Sequence, residues 1–401
     1  MPYPGVVSPT AAFSSMLSTF ALSGVIGYQV VWGVAHSLHS PLMAVTNAIS
    51  GMTAVRRATY PQPYPYPPNP LPKPPTRQPP PTRQPANRNR NPNPNPNRKR
   101  TRNPDPNPPK VGGIYVMGGG LAPSSTAEAL GALATGISAV NITGGFLVTK
   151  KMLDMFKRPD DPPEYYEYYA APAAAFIGGY SLAAFSGFPQ MSSVAATVSA
   201  LGCIGGIGGL ANQSTARMGN VSGMCGVSFG LAATIGSLDW NASQYVQLAG
   251  VLGSGGALGY GIAKKVDPTS LPQTVAAFHS LVGLAAVFTG VGDYLAHSAH
   301  SPELLDGVRL TSIALASVIG SVTATGSLIA FGKLNGSLKS DALSLPMRDP
   351  MNMAAGAATL GCMGLFIANP SPATGLAALM GMTALSGLWA MSNPDPNRDR
   401  D

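Results

Sequence analysis

Leu271–Val287, LPQTVAAFHSLVGLAAV, decides how the rest of the chain is read. Extended to Gly292, it supplies the roughly 20 mostly apolar residues that a helix needs to cross a hydrocarbon core. Its one titratable side chain is His279. An ionisable group at membrane depth is expensive to hold there, which makes it a functional candidate by default. Histidine suits proton movement, because its charge changes near neutral pH. A hydrogen-bonded structural role would satisfy the same side chain, and composition alone leaves both readings open.

The composition widens this reading to the whole chain. Of 401 residues, 45% are hydrophobic and only 10% charged, against about a quarter charged in soluble domains. Glycine is abundant, at 47 residues, as in closely packed membrane helices. Further candidate spans are Ala11–Trp32, Ala127–Thr149, Ala170–Phe188, Ser193–Ala211, Gly219–Leu238, Val246–Ala263, Arg309–Phe331, Met351–Asn369 and Pro372–Met391. Pro41–Val55 and Val111–Gly120 are each too short, but end to end they make one more. The expected fold is all-α, a polytopic helical membrane protein of about 10–11 transmembrane helices.

Loop charges order these spans. Lys150, Lys151, Lys157, Arg158, Arg217, Lys264, Lys265, Lys333, Lys339 and Arg348 all fall in loops of one side. The opposite loops carry Asp239, Asp293, Glu303 and Asp306, with Arg309, at a helix start, the basic exception. This is a positive-inside pattern, and it puts the N-terminus outside. MPYPGVVSPTAAF at the start has no basic residue, so it is neither a secretory signal nor an Arg-rich transit peptide.

Four segments follow: membrane helices in 1–55, an insert in 56–110, the main membrane domain in 111–391, and a tail in 392–401. The insert holds 20 prolines in 55 residues, two TRQP units and an NPNPNPN run. Such a segment forms no core and is expected to be disordered or polyproline-like. It also holds 12 of the 25 Lys and Arg, leaving the remainder slightly acidic. The high pI is therefore a property of the insert, and no nucleic-acid partner is expected of the body. A ligand for proline-binding domains, a basic arm on anionic lipid, and a translated non-coding stretch all fit the insert. The pentad NPDPN recurs at Asn103–Asn107 and Asn393–Asn397, which links insert and tail.

Other chemistry is sparse. GCIGGIGG (Gly202–Gly209) imitates a nucleotide fingerprint, but it lies inside an apolar span with no strand before it. Helix packing is the better reading. Cys203, Cys225 and Cys362 match no metal spacing and are expected as buried thiols. No metal site is expected. His36 and His39, three residues apart, suit interfacial anchoring. His297 and His300 are expected in a solvated outer loop. Asn141, Thr143, Asn220, Thr323 and Thr325 are polar groups within spans. Asn47 is the most notable, because an amide in a span needs a partner. Interhelical bonding and the lining of a water wire both account for it.

Four stretches carry a resemblance. GIAKKVDPTSLPQTVAAFHSLVGLAAV (Gly261–Val287), GSLIAFGKLNGSLKS (Gly326–Ser340), HSPLMAVTNAISGMTAV (His39–Val55) and GGFLVTKKMLDMFKRPDDPPEY (Gly144–Tyr165) resemble the membrane domain of proton-translocating NAD(P) transhydrogenase. The likeness spans Ser8–Val55 and Gly112–Trp389 and suggests the fused eukaryotic form. It implies a membrane domain that couples hydride transfer between NADH and NADP⁺ to proton movement. It implies a homodimer in the mitochondrial inner membrane, or in a bacterial plasma membrane. It also implies that His279 is the proton-channel histidine and favours Asn47 as a lining residue. In this family NAD(H) and NADP(H) bind to separate soluble domains, so no cofactor is expected on this chain itself. Those domains lie beyond both ends of the sequence, as do some family helices, so hydride transfer by this chain alone is not expected. The alternative is a catalytically inactive membrane fragment or scaffold.

Overall fold

The computed structural model describes residues 21–25, 27–30, 32–51, 112–157, 165, 167–185, 191–238, 240–298, 301–339 and 347–392. All of them belong to one compact unit. The insert and the tail from 393 lie outside the described residues, as do most of the Ala11–Trp32 span, Asp239, His300 and the side chains of His36, Glu303 and Arg348.

Among the described residues every regular element is helical. In chain order they are α1 (His39–Ser50), α2 (Gly113–Val116), α3 (Thr126–Asp154), α4 (Glu167–Phe185), α5 (Met191–Gly209), α6 (Ala216–Ile235), α7 (Ala242–Lys265), α8 (Leu271–Ser298), α9 (Gly307–Leu334), α10 (Arg348–Ala368) and α11 (Thr374–Ser392). Six helices among the described residues are long and apolar enough to cross a membrane: α3, α6, α7, α8, α9 and α10. Each expected span from Ala127 onward overlaps one of these helices or α4, α5 or α11. The protein is a polytopic helical membrane protein. Its outward faces carry large apolar side chains such as Leu201, Leu258 and Leu360, which suits a hydrocarbon surround rather than water.

Helix ends are set by local chemistry. Ser125 and Glu128 form a capping box at the start of α3, and Asn241 and Gln244 form another at α7. Each satisfies backbone N–H groups that have no intrahelical acceptor. At the other ends, Lys151 Nζ donates to the carbonyls of Lys264 and Val266, at 2.9 and 3.0 Å. Arg217 Nη2 donates to Leu153 O at 3.2 Å. A cation is favoured at a helix C-terminus, where carbonyls lack partners. These contacts collect the basic residues of three loops at one end of the bundle.

Glycine sets how closely the helices meet. Along α5 and α6, Gly202, Gly206 and Gly209 lie against Gly226, Gly223 and Gly219. A Cβ built on any of the first three would come within 2.8 Å of the opposing backbone. Ser199 and Ser222 hydroxyls bridge the same seam, donating to Gly226 O and Gly202 O. GCIGGIGG is therefore a packing face. Gly283 of α8 meets Gly320 and Ala324 of α9 in the same way.

Helix α3 is central, with α1, α2, α7 and α8 around it. Gly145 faces Ala44 and Ala48 of α1, and Gly51 meets Ser138 O and Ile142. Seven residues nearer the α3 N-terminus, Gly131 meets Gly113 O and Met117 N at 2.8 Å. Thus α1 and α2 pack on successive lengths of α3.

Two expectations are corrected. His297 and Asp293 are not loop residues: both lie in the last turns of α8, which runs on to Ser298. His297 is half-buried and Asp293 fully buried. Arg309 does lie at a helix start, in the first turn of α9, and it is buried against Asp293.

Candidate functional site

α8 carries His279 four residues after Val275 and four before Gly283. Val275 and Phe278 are buried against neighbouring helices, and Gly283 meets α9. His279 itself is half-buried and turned toward α1. There its Nδ1 lies 2.7 Å from Asn47 Oδ1. Asn47 is 2% exposed, and its Nδ2 donates to Val275 O at 3.3 Å.

The second bond fixes the chemistry of the first. Only the NH₂ end of an amide can donate to a carbonyl, so Asn47 must present its oxygen to the imidazole. An amide oxygen only accepts, so His279 Nδ1 carries a hydrogen and donates it. In the neutral ring that leaves Nε2 as the basic nitrogen. The two residues singled out separately in the sequence are thus brought together across 232 positions.

Other polar groups in the bundle divide by partner. Ser321 and Ser386 hydroxyls meet at 2.5 Å between α9 and α11. Thr325 donates to Gly387 O across the same seam. Asn220 donates weakly to Phe146 O at 3.5 Å. Asn141 is wholly buried, yet neither its Oδ1 nor its Nδ2 has a hydrogen-bond partner among the described residues. Leaving a buried polar group unpaired costs about 1–3 kcal/mol. His39 bonds to Val34 O and stays at the α1 terminus, away from His279.

A second polar cluster stands at the opposite end of α8 from Leu271. Arg309 holds Asp293 with two bonds, Nε to Oδ2 at 2.8 Å and Nη2 to Oδ1 at 2.6 Å. His297 packs over the same guanidinium, and its Nδ1 donates to Asp293 O at 2.8 Å. Asp306 caps the Arg309 backbone N–H at 2.7 Å. Asp293 and His297 at helical i, i+4 spacing, followed by Arg309 at the next helix start, were the sequence signals for this cluster.

No three of His, Cys, Asp and Glu among the described residues converge to hold a metal. The described residues form no strand, so a βαβ dinucleotide cradle is not built from them.

The helices long and apolar enough to cross a membrane define the class, a polytopic helical membrane protein, here with a histidine–amide pair between two of them. A sequence model of the NAD(P) transhydrogenase beta subunit matches residues 192–393. One of the 4TM region of pyridine nucleotide transhydrogenase, of the mitochondrial type, matches 16–59 and 109–158. The chain belongs to the NAD(P) transhydrogenase family. It is 41% identical over 142 residues to NAD(P) transhydrogenase subunit beta of Rhodospirillum rubrum, covering 35% of this chain and 30% of that protein. It is 62% identical over 45 residues to NAD(P) transhydrogenase subunit alpha of Haemophilus influenzae, covering 11% of this chain and 9% of that one. The chain thus spans less than a third of the length of these curated relatives. One polypeptide carries stretches similar to both subunits.

Proposed function

We propose that this chain forms the proton-translocating membrane domain of an NAD(P) transhydrogenase, with His279 as the relay. The hydrogen bond between His279 Nδ1 and Asn47 Oδ1 carries this reading. It commits one ring nitrogen to donation and leaves Nε2 to accept and release a proton. A relay needs a single exchange atom whose orientation does not wander, and Asn47, tied in turn to Val275 O, holds the ring. On protonation the Nδ1–H bond to Asn47 persists and becomes charge-assisted, which favours the cation in an otherwise apolar setting.

Hydride transfer between NADH and NADP⁺ belongs, on this reading, to soluble NAD(H)- and NADP(H)-binding domains that work with this one. Their nucleotide state would bias from which side of the membrane protons reach Nε2. A homodimer in the mitochondrial inner membrane, or in a bacterial plasma membrane, is the setting the family suggests. With the basic loop residues inside, the Leu271 end of α8 is the inner end and the Asp293 end the outer one.

The test is to reconstitute the chain with the nucleotide-binding domains in liposomes and measure proton-coupled hydride transfer. His279→Ala should lower it by about 10²- to 10⁴-fold, the usual worth of a positioned acid–base group. Undiminished coupling in that variant would remove the proposal.

A further inference from the structure

The inner end of α7 carries cations that the fold does not use. Lys151 already occupies the carbonyls of Lys264 and Val266, at 2.9 and 3.0 Å. The acceptors at this helix end are therefore taken, and the side chains of Lys264 and Lys265 stay outside. Lys150 joins them from α3. The two helices run parallel, since Gly255 meets Gly136 O and Gly259 meets Val140 O, and Gly256 meets Thr143 Oγ1 in the same seam. Seven residues on, where a helix returns to nearly the same face, stand Lys150 on α3 and Ala263 on α7, next to Lys264. Lys150, Lys264 and Lys265 are all exposed, and none is ion-paired to a carboxylate among the described residues.

The surface beneath these ammonium groups is apolar and open. Lys264 Nζ stands over the exposed Tyr260 ring, 5.9 Å from its centroid. The ring fixes where that charge sits, and tyrosine at a helix end belongs at headgroup depth. Deeper along α7, Leu258 is exposed, and a Cβ on Gly253 or Gly261 meets nothing within 4 Å. Cations above an open apolar strip fit a molecule with an anion at one end and hydrocarbon at the other. We propose that this is a binding site for an anionic phospholipid of the inner leaflet. Its phosphodiester sits among Lys150, Lys264 and Lys265, and an acyl chain lies along α7 past Gly261 and Gly253. A free phosphate would meet the same cations but gain nothing from the strip. The bound lipid ties the inner ends of α3 and α7 together through one headgroup.

The test uses the full chain in phosphatidylcholine nanodiscs with a trace of photoreactive phosphatidylglycerol, the labelled residues being read by mass spectrometry. Labelling should centre on the inner ends of α3 and α7 and exceed that by photoreactive phosphatidylcholine. Lys264→Gln should lower it there by about fivefold, the usual worth of one basic residue beside anionic lipid. Glutamine at all three lysines should lower it roughly 100-fold. Lys264→Arg should keep it, and Tyr260→Leu should lower it although no charge changes. Lys339→Gln, at an exposed lysine of another inner loop, should leave it unchanged, and inorganic phosphate should not compete. If the triple variant does not fold, the single variants decide. Equal labelling by the two lipids overturns the site. So does a loss in Lys339→Gln that matches the loss in Lys264→Gln, which would mark diffuse surface charge. Displacement of the label by inorganic phosphate, or by an added nucleotide-binding domain, overturns the lipid as occupant.

Discussion

Arg309 and Asp293 join α9 to α8 through a two-pronged, fully buried ion pair, 2.6 and 2.8 Å between heavy atoms. Taking two charges out of water is costly, and their attraction offsets this only when the geometry is good and the remaining donors are occupied. Here both carboxylate oxygens and two guanidinium nitrogens are used. Arg309→Leu should therefore destabilise the bundle by about 3–5 kcal/mol, because Asp293 keeps its charge without a partner. The double variant with Asp293→Leu should recover most of this loss. Thermal unfolding of the wild type and these two variants in one detergent measures both terms.

Asn47 should control the tautomer of His279. In the wild type, the neutral ring is expected to carry its proton on Nδ1. Asn47→Ala removes the acceptor, and the ring should then populate the Nε2–H form as well. The two forms differ in ¹⁵N chemical shift, so a spectrum at alkaline pH reads the change directly. Proton-coupled activity should fall by about tenfold, in keeping with one strong hydrogen bond.

Glycines in this bundle divide into two kinds. A Cβ on Gly283 would press on the backbone of Gly320 and Ala324, whereas one on Gly253 or Gly261 meets nothing within 4 Å. Gly283→Ala should force α8 and α9 apart and cost about 1–3 kcal/mol. Gly253→Ala and Gly261→Ala should gain about 0.5–1 kcal/mol from helix propensity. Midpoints of thermal denaturation, compared across the three, should move in opposite directions.

The hydroxyl contact between Ser321 and Ser386 should be worth little. Interhelical hydrogen bonds in membranes average about 0.6 kcal/mol, because the separated helices also find partners. A double-mutant cycle with alanine at both positions should return a coupling of that order. A value of several kcal/mol would mark the α9–α11 seam as more dependent on polar bonding than its packing indicates.

Much of this architecture is legible in a linear reading, because a span of about 20 apolar residues is a strong signal. The helix ends were less so. α3 and α8 run past their apolar runs, α3 from its capping box at Ser125 to Asp154 and α8 through to Ser298. A search by hydrophobicity stops where the first charges appear, and so it turns Asp293 and His297 into loop residues. Their burial depends on Arg309, whose partner cannot be read without knowing that α8 and α9 form a hairpin. The same limit applies at the candidate site. His279 and Asn47 each stand out by type, but their contact spans 232 positions.

The separate seating of α1 and α2 on α3 has one more consequence. Each piece is gripped by α3 through its own glycine contact, Gly51 at Ser138 and Gly131 at Gly113. Continuity of the peptide between them is therefore not what positions Asn47. The scaffold acts as a jig that seats the two pieces separately, so a severed chain, supplied as two polypeptides, has the contacts needed to reassemble the histidine–amide pair.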